Sequence, residues 1–379
     1  MKVLHFGRFH SDNFGGIERH VTTLLDCLQP SMPVANVVAH ERFRREVLPR
    51  HAYAVHKLPT LAMLAGTAIC PTMPLYARHL CRREAYDIAH LHFPDPMAHL
   101  AWYGLPAGMR LVITWHSDIV RQQRLLGLYR PFLDRLVRRA DAIVAATPLH
   151  FSTSTQLGAC RDESRKFVVP YGIDFAPLEA SPAVLAGAER IRQRHPGRRL
   201  IFTLGRHVYY KGFDYLLQAM QALGPDALLL LGGSGPMTPA LQRQADELGV
   251  RGKVVFTGRI AEAELPHYYH ACDVFCMPSV ETSEAFGLVQ AEAMACAKPV
   301  VCCELHNGVN YVNQHDVTGL AVPPRDARAL AAALDSLLRD EEKRRAYGQA
   351  ASARVRREFN LRDMTAGTLA VYRAVLGRT

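Results

Sequence analysis

Ten short, nearly unbroken apolar runs limit this chain to a parallel α/β architecture. In the first half they read KVLHFG, ANVVAH, DIAHLHF, LVITWH and AIVAAT. In the second half they read LIFTLGR, ALLLLGG, KVVFTG, DVFCMP and PVVCCE. Runs without polar alternation belong to strands covered on both faces, which is the condition of a parallel sheet. Helical patterns lie between them, so the chain predicts two doubly wound units. A length of 379 residues agrees with two cores, and 49% hydrophobic with 21% charged residues is a globular composition. The segment FVVPYGIDFAPLEASP carries the Pro, Gly and short polar residues of an interdomain turn. It divides the chain into a domain over 1–170 and a domain over 171–357. Ligands of such sheets bind beyond the carboxyl ends of strands, so the residues after each run are the informative ones.

Other features narrow the setting. The nine cysteines include no C-x-x-C pair; Cys272 and Cys276 are four apart and Cys302-Cys303 are adjacent. This is the usage of reduced, mostly buried thiols in cytosol. The start MKVLHFG enters a strand directly and lacks a signal-peptide pattern, so a cytoplasmic location is expected. The longest apolar stretch, Leu58 to Ala77, contains three prolines, which argues against a spanning helix. It reads as packed helices and a loop, or as an apolar surface that meets a lipid-linked acceptor. Net charge is +10, and residues 1–175 carry 21 Lys/Arg against 14 Asp/Glu. Arg42, Arg44 and Arg45 form one basic cluster. Arg121, Arg124, Arg130, Arg135, Arg138 and Arg139 decorate a segment rich in Leu, Tyr and Phe. Such a segment fits either a solvated helix face or an anionic membrane surface, the latter making the protein peripheral to the inner face of a membrane. No nucleic-acid reader motif accompanies the charge.

The most specific stretch is EAFGLVQAE, Glu284 to Glu292, two carboxylates seven residues apart. A helix starting near Phe286 would aim its free N–H groups and positive dipole end at the preceding loop, a seat for a diphosphate. If helical throughout, the eight-residue rise spans about 12 Å, enough to separate a sugar from a ribose. The longer string PSVETSEAFGLVQAEAMACAKPVV resembles the donor-site signature of family 4 glycosyltransferases, retaining enzymes of the GT-B fold. The resemblance covers nearly the whole chain. It implies two Rossmann-like domains facing each other across a cleft, with the final helix (358–379) returning to brace the first. Ala297 departs from the family, which usually has Gly before Lys-Pro; the departure bears on a turn and not on the site. Tyr171 in PYGID stands where the family usually has Asn, and the loop His306-Asn307-Gly308-Val309-Asn310 departs from the commoner Gly-Gly.

The resemblance also assigns roles. Glu284 would hydrogen-bond sugar hydroxyls, and Glu292 would hold the ribose. Arg206 and Lys211, in GRHVYYKG after an apolar run, would clamp the diphosphate together with the backbone at Phe286, Gly287 and Leu288. A guanidinium and an ammonium aimed at a leaving diphosphate stabilise its growing charge, as a metal does elsewhere. The chain contains no Asp-x-Asp pair for a divalent ion, so no metal and no cofactor are expected. Gly15-Gly16 opens a helix and lets backbone approach a phosphate or sugar closely. It lacks the G-x-G-x-x-G dinucleotide fingerprint. Ile260, after Gly258-Arg259, would back the nucleobase, and the turn Gly232 to Pro236, which resembles the family's G-x-G-P, would be architectural with some role near the donor. His116, in TWHSD, resembles the family histidine that reaches the donor sugar; Asp118 is the alternative acceptor-side base, and geometry must separate them. His90-x-His92 reads as structural. The implied activity is a metal-independent hexosyltransferase moving mannose or a deoxymannose from a nucleotide diphosphate, GDP favoured over UDP. The acceptor would be a glycan or lipid-linked glycan of bacterial surface polysaccharide. The alternatives are a nucleotide-sugar epimerase of the same architecture and a non-catalytic sugar-nucleotide sensor.

Overall fold

A computed structural model describes residues 1–10, 15–50, 52–64 and 66–377. The chain divides into two compact units, Met1–Gly172 with Leu361–Thr379, and Ile173–Asn360.

The first unit contains an eight-stranded sheet. Its strands are β1 (Val3–Gly7), β2 (Val34–Ala39), β3 (Glu46–Arg50), β4 (Tyr53–Leu58), β7 (Ile88–Phe93), β8 (Arg110–Trp115), β9 (Ala142–Ala145) and β10 (Lys166–Val168). They lie in the order β10-β9-β8-β7-β1-β2-β4-β3. All pairs are parallel except β3 with β4. Every residue of β1, β2, β7 and β9 is buried, as strands covered by helices on both faces require. On one face, Val3, Val34, Val38, Ile88 and Val112 meet Val21 and Leu25 of the helix Gly16–Leu28. The final helix, Leu361–Leu376, adds Met364, Val371, Tyr372 and Val375 to that core. Residues 358–360 stay with the second unit. Phe359 packs edge-on against Phe286, and the Ile173 N–H donates to the Phe359 carbonyl at 2.7 Å.

The stretch Leu58 to Ala77 differs from the packed helices expected. β5 (Ala62–Leu64) and β6 (Thr67–Ile69) form an antiparallel hairpin that turns at Gly66 with φ +84°, and a helix starts at Met73. Leu61, Met63 and Leu64 are exposed. Over 61–64 the apolar side chains face outward, and local strand pairing satisfies the backbone there.

The second unit is a six-stranded parallel sheet. Its strands are β11 (Arg199–Leu204), β12 (Ala227–Gly232), β13 (Val254–Gly258), β14 (Val274–Met277), β15 (Val300–Cys303) and β16 (Gly319–Val322). Their order is β13-β12-β11-β14-β15-β16, the dinucleotide-binding arrangement with its switch point between β11 and β14. The loops that leave those two strands therefore diverge and open a crevice.

Ala297 follows the helix Leu288–Ala295 in the left-handed region, φ +55°. A side chain there costs roughly 1–2 kcal/mol, which glycine's greater unfolded freedom partly offsets. Ala297→Gly should therefore raise the stability of the second unit by about 1 kcal/mol in urea unfolding. A loss of stability would mean that the turn carries no strain.

Candidate active site

Three loops beyond β11, β12 and β13 are tied through their backbones, with His207 Nδ1 also 2.8 Å from Thr238 Oγ1. The Gly205 N–H donates to the Gly232 carbonyl at 3.2 Å, and His207 N–H donates to Ser234 at 3.1 Å. Gly233 N–H donates to the Gly258 carbonyl at 2.7 Å. The approach demands glycine: Gly233 has φ +105°, and a Cβ there would lie 1.9 Å from the Gly205 oxygen. The β11 loop also meets the β14 loop. The Val280 N–H donates to the Tyr210 carbonyl at 2.8 Å. A Cβ on Gly212, at φ +65°, would lie 2.0 Å from the Pro278 oxygen. This is why GRHVYYKG and GSGP are rich in glycine. Their loops form one rigid rim over the switch point.

On that rim the Lys211 ammonium pairs with the Glu284 carboxylate, each side chain only 12% exposed. Ser279 Oγ donates to the same carboxylate at 3.1 Å. Burial by itself would lower the Lys211 pKa, but the Glu284 charge outweighs it and holds the ammonium above its ordinary range. The sequence assigned these two residues to different parts of a donor; the structure joins them. Arg206, five residues earlier on the same loop, is exposed and has no ion-pair partner among the described residues. The exposed Arg206 guanidinium and the paired Lys211 ammonium are two cations of this rim, with exposed Arg259 on the β13 loop.

Glu284 is not on a helix. The helix begins at Leu288, with Gly287 as its N-cap at φ +76°, and runs to Ala295. The helical rise from Glu284 to Glu292 therefore does not apply, because the first part is loop. Gly287 is required twice, by its φ and because a Cβ would lie 2.6 Å from Met277 Sδ. The first N–H groups of that helix lack intrahelical partners and carry the positive dipole end. Phe286 does not present its ring to a ligand. The ring is buried against Phe359, so Phe286 reaches the site through its backbone only. Glu292 is buried and accepts from Tyr269 Oη at 2.7 Å. Ile260 lies beside Gly232, whose added Cβ would meet Ile260 Cδ1 at 3.0 Å. Arg206, Lys211, Ile260, Glu284, Gly287 and Leu288 thus share one connected rim, with Glu292 one turn into the helix.

Sequence reasoning missed the supports. Asn307 caps the short helix Gly308–Val312 and donates to the Glu284 carbonyl at 2.8 Å. Gln290 donates to Phe286 and Val309 carbonyls at 2.8 and 3.1 Å. The departing loop His306 to Asn310 is therefore the wall that fixes the backbone of Glu284. An Asn before Gly at a helix start was the available signal.

Gly15, Gly16 and His116 belong to the first unit. Gly15 is the exposed N-cap of the helix Gly16–Leu28, with ordinary negative φ. His116 is 3% exposed, and both ring nitrogens are engaged, Nδ1 with Tyr171 Oη at 2.5 Å and Nε2 with His92 Nδ1 at 3.1 Å. In this conformation His116 is a packed histidine and not a free contact for a sugar. Asp118 is committed too: it accepts from Trp115 Nε1 at 2.9 Å, Ser154 Oγ at 2.6 Å and the Thr155 N–H at 2.9 Å. A carboxylate so bonded holds a loop and has little capacity left as a base.

Comparison with known proteins places this geometry. Residues 188–354 match the family described as Glycosyl transferases group 1, and residues 14–176 match Glycosyltransferase Family 4. The chain is similar to the D-rhamnosyltransferase WbpZ of Pseudomonas aeruginosa, with 33% identity over 95% of this chain and 92% of the relative. It is also similar to the O-antigen chain mannosyltransferase C of Escherichia coli, with 29% identity over 99% of each. Among solved structures, sucrose-phosphate synthase from Thermosynechococcus elongatus shares the fold, with a TM-score of 0.84, 21% identity and 100% of each chain covered. The architecture is GT-B, two Rossmann-like α/β domains, and the chain belongs to the group 1, family 4 glycosyltransferases, as a hexosyltransferase.

Proposed function

We propose that the protein transfers mannose or a deoxymannose from its guanosine diphosphate to a hydroxyl of a glycan or lipid-linked glycan in bacterial surface polysaccharide synthesis. The observation that carries this reading is the Lys211–Glu284 pair, held beside exposed Arg206 on the loops at the switch point. The diphosphate takes the Arg206 guanidinium, the Lys211 ammonium and the N–H groups at Gly287 and Leu288. Glu284, steadied by Ser279 and Asn307, faces the sugar hydroxyls. Glu292 faces the ribose, with Tyr269 behind it. Transfer proceeds with retention, by attack on the face the leaving group departs from. The bond from C1 to the phosphate oxygen breaks as the acceptor oxygen bonds C1, and that phosphate oxygen takes the acceptor's proton. The protein supplies position and electrostatics. With no Asp-x-Asp in the chain, the two cations do the work of a metal.

The base choice rests on Ile260 and the backbone around Gly258. A purine offers Ile260 a larger face, and guanine's N–H donors suit backbone carbonyls. GDP should bind more tightly than UDP in calorimetry with the bare nucleotides. If UDP binds tenfold tighter, about 1.4 kcal/mol, the guanosine assignment is wrong, and sugar transfer would be unaffected by that result.

An anionic membrane is the proposed meeting place with acceptor. The helix Gln123–Arg139 buries Leu126, Leu133, Leu136 and Val137 in the core. Its outer side exposes Leu125, Leu128 and Phe132, at 53%, 77% and 58%, with Arg124 and Arg138 alongside. Arg130, counted among the basic residues in the sequence, is committed to Asp134 at 2.8 Å and the Thr155 carbonyl at 3.0 Å. An apolar stripe rimmed by arginine suits the headgroup boundary of anionic lipid. Among the described residues no helix is long and apolar enough to cross a membrane. The protein should co-sediment with anionic vesicles at low salt and be released by salt. Leu128→Glu with Arg124→Glu should abolish this. Equal binding to neutral vesicles would leave the face as ordinary surface.

A further inference from the structure

Three large apolar side chains of the first unit stand out of the fold on one short ribbon. Residues 58–77 contain no charged side chain, and within them β5 (Ala62–Leu64) pairs antiparallel with β6 (Thr67–Ile69). β6 is the anchored strand, with Ala68 buried against Phe9 and Ala39. β5 is the outer strand, and all three of its residues are exposed. Leu61, Met63 and Leu64 are 65, 52 and 65% exposed. Successive side chains of a strand point to opposite faces. Met63 and Leu64 exposed together therefore mean that both faces of β5 stand free of the core. A strand lying on the core would bury one of them. Burying a Leu or Met side chain fully is worth about 1.5–3 kcal/mol. The outer strand gains that free energy only against an apolar phase outside the fold.

The base of the ribbon has the opposite character. The Thr60 N–H donates to the Arg42 carbonyl at 3.4 Å, which seats Arg42-Phe43-Arg44-Arg45 beside the entry to β5. Arg42 and Arg45 are exposed, and neither has a carboxylate partner among the described residues. Arg44 is committed to Glu46 at 3.1 Å. The Arg45 guanidinium lies 4.7 Å from the centre of the Tyr76 ring and donates to its hydroxyl at 3.3 Å. Phe43 and Leu75 add exposed apolar surface beside these arginines. At the other end of the ribbon, a Cβ on Gly66 would lie 3.7 Å from Gln122 Nε2. The hairpin turn therefore touches the residue before the helix Gln123–Arg139, whose outer side exposes Leu125, Leu128 and Phe132. Unpaired guanidinium groups at the base and apolar side chains beyond them match the depth profile of an anionic bilayer, phosphates first and acyl chains below. The outer backbone edge of β5 still needs hydrogen bonds, which sets the depth at the wet headgroup boundary and not in the hydrocarbon.

We propose that the hairpin β5–β6 is an interfacial anchor that inserts Leu61, Met63 and Leu64 into the headgroup–acyl boundary of an anionic lipid bilayer, with Arg42 and Arg45 on the lipid phosphates. The anchor rests on the membrane reading above for the kind of surface, and it adds a second element to the helix Gln123–Arg139. A protein partner would have to bring both carboxylates for Arg42 and Arg45 and an apolar groove for β5. A bilayer offers the two together at every point of its surface.

The experiment uses the full chain and vesicles of phosphatidylglycerol and phosphatidylcholine in equal parts. Leu64→Cys carries an environment-sensitive fluorophore. Eight of the nine native cysteines are buried and Cys27 is partly buried, and wild type treated with the same reagent gives the background. On vesicles the label's emission should shift to the blue, and bromines on the acyl chains should quench it. In parallel, the triple variant Leu61→Ser, Met63→Ser, Leu64→Ser should bind the vesicles at least tenfold more weakly. Its urea midpoint should equal that of wild type, because the three side chains stand outside the core. Arg42→Gln with Arg45→Gln should also weaken binding. Co-sedimentation of the wild type with a label that neither shifts nor is quenched, or equal vesicle affinity for the triple variant, would overturn the anchor and leave the helix as the membrane contact. Absence of co-sedimentation in the wild type would strike the membrane reading, and the anchor with it. A dimer seen by sedimentation velocity without lipid, and abolished in the triple variant, would assign the ribbon to a second copy of the chain and overturn the anchor.

Discussion

Lowering the pH from 7.5 to 5 should unfold the first unit while the second stays folded. Five histidines of the first unit, His5, His20, His90, His92 and His116, are buried and neutral. Burial is the largest cause in each and lowers all five, His5 and His20 to about 3. Their folded pKa values lie below the unfolded value of about 6.5. The unfolded chain therefore binds more protons below that pH, and stability falls as pH falls. It is fully present above 6.5 and drains over the window from 6.5 toward 3. Each group costs about 1.4 kcal/mol per pH unit there, and five together cost about 7 kcal/mol. Whole domains are stable by about 5–15 kcal/mol, so the transition falls between pH 6 and 5. In the second unit His207 is the only histidine so buried. Urea unfolding followed by tryptophan fluorescence reports on the first unit, since Trp102 and Trp115 both lie there. A midpoint unchanged down to pH 4 would contradict five buried neutral histidines.

Removing the Lys211 ammonium should lower kcat about 10²- to 10³-fold, the cost of one oriented donor aimed at developing charge. Donor affinity should change much less, because the interaction strengthens as the phosphate leaves. Lys211→Ala also leaves Glu284 buried with only Ser279 as a donor, which costs stability by up to about 3–5 kcal/mol. Glu284→Gln added to Lys211→Ala should restore stability and not rate, so the two effects separate. Arg206→Ala, at an exposed position, should slow transfer at least tenfold with stability unchanged within about 0.5 kcal/mol. Steady-state kinetics beside thermal melts check all three. An unchanged kcat in Lys211→Ala would remove the ammonium from the mechanism.

Much of the fold was legible because buried parallel strands announce themselves. All ten apolar runs are strands. Those missed lack that signature. β3 and β10 are only partly buried, β16 opens on a glycine and has one partly exposed residue in four, and β4 contains Lys57, which is buried through its pair with Glu41. The hairpin β5–β6 looked helical because its apolar residues are consecutive and lie at the surface. Of the site, the residues were legible and their partnerships were not. Lys211 and Glu284 each look like a ligand group in sequence, and only tertiary structure joins them across 73 positions. Tyr269 behind Glu292 and Asn307 behind Glu284 are each 23 positions from their partners. His90-x-His92 was visible as an alternation and read as structural; its partners His5 and Tyr372, 367 positions apart, were not visible. Periodicity reports which face a residue takes, and not which distant element covers that face.

The most direct test of the central claim is transfer itself. The full-length protein is incubated with GDP-mannose labelled in the sugar, a lipid-linked glycan acceptor and excess chelator, and the label is followed. Label is expected covalently attached to the acceptor with stoichiometric release of GDP, lost in Lys211→Ala. Label that remains on the nucleotide as an isomerised sugar would identify an epimerase. Tight binding of GDP-mannose and of other nucleotide sugars, with no label leaving any of them, would identify a sensor. Either result would contradict the assignment of sugar transfer to this site.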